Sequence, residues 1–112
     1  MKLGVLTQPT VIGCVPEEQT SGVLVVPILS WHHQSFDTEP AITNWGGIPK
    51  IHEAMVDYTA CVWPGLNMHS EEVAAHIDAM NLPVDQVLQM TKGGAIPVVS
   101  FSHFVPRIET YT

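Results

Sequence analysis

Two stretches, GVLVVPILS (residues 22–30) and AIPVVSF (residues 95–101), are apolar at odd and even positions alike. A strand with one wet face alternates; a strand that does not alternate needs cover on both faces. A chain of 112 residues builds one such middle. Val23–Ile28 and Ile96–Phe101 are therefore expected to be neighbouring central strands of one sheet. Trp31–Asp37 and Ser102–Phe104 would then leave it at the same end. Pro27 cannot donate to a ladder, so it belongs at a frayed or edge position.

The rest of the chain arranges itself around these two runs. Residues 1–13 read as two short strands about Gln8-Pro9, and VPEEQTSG (15–22) as a turn-rich loop. From Trp31 to Gly65 the pattern is irregular and broken by Pro40, Gly46, Gly47, Pro49 and Pro64. Within it, IPKIHEAMVDY suits about two helical turns, with Pro49 at an early position. Ser70 is a candidate N-cap for a helix whose face carries Val73, Ile77 and Met80, with Glu71 and Glu72 at the positive end of its dipole. PVDQVLQMTKG reads as a second helix closed by Gly93-Gly94.

Composition removes several function classes. With 46% hydrophobic and 13% charged residues, the chain is too apolar to be disordered. Four Lys and Arg against eleven Asp and Glu leave a net charge of -7, and four scattered cations build no face for a phosphate backbone, so nucleic acid is excluded. Cys14 and Cys61 form no CxxC pair, which excludes zinc ribbons and dithiol redox motifs; buried free thiols are expected. The N-terminal residues make a poor signal peptide and no run is long enough for a membrane span, so the expected location is cytoplasmic, with no membrane partner. Nothing in the pattern sets an oligomeric state.

Among the six histidines, His103 stands out: it follows a strand and precedes Phe104-Val105-Pro106, which hold an imidazole in a fixed place, as a metal ligand requires. The alternative is a histidine bonded to a backbone carbonyl. His32 and His33 are adjacent and point to opposite sides of an extended chain, so they cannot chelate one ion together. Asp37 and Glu39 share a parity and either present two carboxylates or cap local amides. His52, His69 and His76 read as surface residues. No Ser-His-Asp order, G-x-S-x-G or phosphate-cradling loop is present.

Three blocks in order, VPILSWHHQSFDTEP, MVDYTACVWP and VVSFSHFVPR, resemble the central to C-terminal part of one branch of the calcineurin-like metallophosphoesterases. The resemblance spans roughly Val23 to Arg107. It implies an α/β fold, part of a sandwich of mixed β-sheet flanked by helices, with residues 1–112 as a single partial domain. It also implies a two-metal centre that hydrolyses phosphate esters, with divalent Mn, Fe, Zn or Mg as cofactor and a phosphorylated substrate as partner. Of the family's ligand blocks only the lone histidine after a strand has a counterpart, and it falls on His103. His33, Ser35 and Asp37 would line the substrate side of the cleft. D-x-H, G-D-x-x-D, G-N-H-[DE] and G-H-x-H are absent, so no residue is assigned a catalytic role. The expectation is a phosphoesterase fragment, inactive by itself and weak or silent toward metal. The competing expectations are a non-catalytic binding module on the same scaffold, and a remnant with no function of its own.

Overall fold

A computed structural model describes residues 4–18 and 21–110. The strands are Thr10–Ile12 (β1), Val23–Pro27 (β2) and Val98–Phe101 (β3). Four short helices, Ile51–Ala54 (α1), Asp57–Ala60 (α2), Glu72–Asp78 (α3) and Val84–Met90 (α4), all lie between β2 and β3 in sequence, and single 3-10 turns cover Gln34–Phe36 and Ile108–Thr110. The result is a small mixed α/β fold.

The two apolar runs do pair. β2 and β3 are parallel, with Leu24 opposite Val98 and Pro27 opposite Phe101, while β1 is antiparallel on the other side of β2. Pro27 ends its strand, where the missing N–H costs no ladder bond. Their burial differs from expectation. β2 buries Leu24 and Val26 on one face, but all four residues of β3 are exposed. β3 is an edge strand in the order β1-β2-β3, so apolar character at both parities did not place it in the middle. The burial in that run falls instead on Ile96, just before the strand.

Other local readings are corrected by packing. The first residues hold one described strand, not two; Thr10 Oγ1 donates to Gln8 O at 2.9 Å in a local turn, and residues 1–3 lie outside the described part. The helix expected over IPKIHEAMVDY is split into α1 and α2 at Met55-Val56. α3 starts at Glu72, whose N–H is accepted by Ser70 Oγ at 3.3 Å. Val73, Ala74 and Ile77 form its buried face and Met80 is exposed. α4 ends in three successive left-handed residues, Lys92, Gly93 and Gly94, two of which are the glycines that take that conformation without strain. Gly22 is needed for a different reason: at φ +106° any Cβ would sit 2.8 Å from Ile12 O in β1.

The apolar residues form two separate cores. Leu24, Val26 and Ile96 pack with Val87 and Met90 of α4. Trp31, Val73, Ala74 and Ile77 pack with Tyr58, Cys61, Trp63 and Phe104. Residues 37–50 are exposed throughout. The radius of gyration is 18.3 Å, against about 13 Å for a compact domain of this length.

Candidate functional site

The parallel pairing sends both strand exits to one end of the sheet, and Ser30 ties them together. Its Oγ accepts the Phe104 N–H at 3.0 Å and donates to Phe104 O at 3.2 Å. Immediately beyond, Trp31 is 4% exposed and is the hub of the second core. Its ring lies 5.4 Å from Tyr58, 5.5 Å from Trp63 and 5.5 Å from Phe104, all tilted or edge-on, the arrangements aromatic quadrupoles favour.

α3 is fastened to the β2 exit at both of its ends. Past its C-terminus, Asn81 accepts the Leu29 N–H at 2.8 Å and donates to Leu29 O at 2.7 Å. Before its N-terminus, Glu71 accepts from Ser35 N–H and Ser35 Oγ, both at 3.1 Å, and pairs with His33 Nδ1 at 3.0 Å. Burial alone would push the Glu71 carboxyl up; the bonds from Ser35 and His33 outweigh it and hold it below its ordinary value. The His33 side chain is 10% exposed and stacks on Phe36 at 4.4 Å. Its Nε2 is 3.1 Å from Asp78 Oδ2 without the alignment of a hydrogen bond.

His32 turns the other way, as adjacent residues of an extended chain do. Its Nδ1 is 2.9 Å from the Tyr58 hydroxyl. Burial lowers the His32 pKa and raises that of Tyr58, so each group favours its neutral form and the two share one hydrogen bond. His52, expected on the surface, is half-buried and packs edge-on against His69 at 4.6 Å.

His103 is paired with Asp57, the first residue of α2. Its Nε2 lies 3.0 Å from Asp57 Oδ1, with side-chain exposures of 69% and 24%. The ring also meets Phe104 edge-on at 4.5 Å.

The four residues singled out by sequence are thus distributed as follows. His33 and Asp37 border one hollow with His32, Phe36, Phe104 and Val105. Ser35 is turned to Glu71. Asp37 Oδ1 accepts the Glu39 N–H at 3.3 Å, a local cap. His103 borders a different hollow, with Ser30, Trp31, Asp57 and Trp63, and Phe104 borders both. The sequence reading missed Asp57 and Glu71, the partners of these histidines. Asp57 lies inside the block MVDYTACVWP, and the position of Glu71 signals only a charge suited to a helix end.

One imidazole held by a carboxylate, its second nitrogen unengaged among the described residues, offers at most a single coordination position. Among the described residues no group of three or more His, Cys, Asp or Glu is placed to hold a metal ion. The cysteines are free, as expected, but not buried: Cys14 is exposed and Cys61 half-buried. No helix of the described residues is long and apolar enough to cross a membrane. No family model, curated protein or solved structure matches the chain.

Proposed function

We propose that this chain is part of a calcineurin-like metallophosphoesterase, contributing His103 as one metal ligand and the His33–Asp37 segment as one wall of the substrate cleft. The observation that carries the reading is the convergence of the three resembling blocks. The exits of β2 and β3 are joined through Ser30 and Phe104, and Asp57 of the middle block meets His103 of the last. When bound, a divalent pair would polarise the phosphate and supply a hydroxide nucleophile. The residues of this chain would hold one position of that centre and shape one side of it. A two-metal clamp needs the donors of the absent blocks, so the 112 residues alone do not hydrolyse phosphate esters.

The test is hydrolysis of p-nitrophenyl phosphate and its bis-ester at millimolar Mn²⁺. The isolated chain is expected to match buffer. A polypeptide extended by flanking coding sequence that carries G-N-H and G-H-x-H is expected to turn over, and His103→Ala to abolish it. Turnover by the isolated chain that needs His103, or flanks without those blocks, would overturn the reading. A second reading, a non-catalytic binding module, draws on one observation: an apolar groove of about 350 Å³ between β2, β3 and α4, bordered by Val26, Ile28, Leu82, Val87 and Val98. Saturable binding of an apolar ligand there by a chain with no hydrolytic parent would favour it.

A further inference from the structure

We propose that the apolar groove between β2, β3 and α4 binds an aliphatic chain ending in a carboxylate, the groove taking the chain and Arg107 the carboxylate. The proposal rests on the groove of the second reading above and not on His103. Strand register builds one side of it. Leu24 pairs with Val98 and Val26 with Ser100, and residues level with each other in adjacent strands share a sheet face. Val98 and Ser100 therefore face α4 together with the buried Leu24 and Val26. The facing wall is α4, through Val84, Val87 and Leu88. The volume of about 350 Å³ falls within the range of ligand pockets, about 300–1,000 Å³.

The lining selects the ligand. Val98, Leu88 and Val84 are 47%, 60% and 69% exposed, so a methylene chain laid between them takes apolar surface out of water and leaves no polar group unpaired. No aromatic ring borders the groove among the described residues, so it offers a planar ligand nothing to stack on. Charge settles the other end. The chain has eleven Asp and Glu, yet none borders the groove, and Arg107 is its one charged border among the described residues. A carboxylate there meets a guanidinium and no acid of the wall; a cationic head would meet repulsion. Arg107 donates to Glu109 from Nε at 3.1 Å and from Nη2 at 2.9 Å, an exposed pair two residues apart. Such pairs contribute little, so trading part of this one for a bidentate ligand carboxylate is an even exchange. The net charge of -7 opposes any anion at long range, but physiological salt screens it beyond about 8 Å.

The test is calorimetric titration of the chain with the alkanoates from hexanoate to dodecanoate, at physiological salt and below their micelle concentrations. Affinity is expected to rise about fourfold per methylene, the worth of a buried CH₂, and to level off once the groove is full. Arg107→Gln should weaken decanoate about two- to fivefold, as loss of an exposed ion pair does, and leave decanol unchanged. Glu109→Gln, which removes the competing carboxylate, should strengthen decanoate alone. Leu88→Glu should weaken decanoate and decanol alike by about tenfold or more, because the chain would then cover an unpaired charge, with circular dichroism unchanged. Val84→Glu, at the first position of α4, serves if that variant does not fold. Affinity that does not depend on chain length, equal decanoate binding by wild type and Arg107→Gln, or indifference to Leu88→Glu would overturn the proposal. So would a dimer in sedimentation equilibrium that Leu88→Glu dissociates, which would make a second copy the occupant. None of these readouts involves hydrolysis, so failure here leaves the reading of His103 intact.

Discussion

Replacing Trp31 by alanine should remove the stability of the second core. Trp31 is 4% exposed and contacts three aromatic rings at 5.4–5.5 Å. Deleting a buried tryptophan costs about 3–5 kcal/mol in lost transfer energy and cavity. Each well-placed aromatic pair adds about 0.5–1.5 kcal/mol beyond its area. The upper half of the first range, about 4–5 kcal/mol, is therefore expected. A chain of this length holds on the order of 5–15 kcal/mol, so the loss is a large fraction of the whole. Urea unfolding followed by circular dichroism measures it, with Trp45→Ala as control. Trp45 is 70% exposed and its replacement should stay within about 0.5 kcal/mol. Trp31→Ala should also disturb Ser30–Phe104, because those segments are held apart from water by the same ring. A loss below about 1 kcal/mol, or one no larger than that of Trp45→Ala, would refute the placement of Trp31 at the hub.

Three further outcomes are expected. Glu71 titrates lower in the folded chain than in the unfolded one, so its contribution is whole above the ordinary carboxylate pKa and is lost as pH falls through the folded value. Glu71→Gln should therefore cost about 1 kcal/mol at pH 7, after discounting for exposure, and the gap should close in acid; a gap independent of pH would refute the clamp. Val99→Lys, on the exposed edge strand, should leave stability to urea within about 0.5 kcal/mol of wild type; a loss above about 1 kcal/mol would refute the exposure of this strand. Millimolar Mn²⁺ should shift the melting temperature of the isolated chain by about 3 degrees or less, because a tighter site would stabilise by mass action; a large shift that His103→Ala and His33→Ala both abolish would reveal a local site joining them.

What sequence pattern alone determined was local or depended on neighbours close in the chain. Backbone chemistry was legible in this way: Pro27 at the end of β2, Gly93 and Gly94 closing α4, the Asp37 cap and the buried stripe of Val73 and Ile77 all follow from periodicity and turn preference. So was the adjacency of β2 and β3, because two apolar runs in one small domain have few other places to go. Tertiary structure decided the rest. β3 has the composition of a central strand yet lies at an edge, since coverage depends on what packs above it and not on its own residues. Adjacent His32 and His33 went to Tyr58 and Glu71, 26 and 38 residues away, and His103 went to Asp57. A hydrogen bond between residues so distant is set by where the intervening helices dock, and no spacing rule along the chain encodes that.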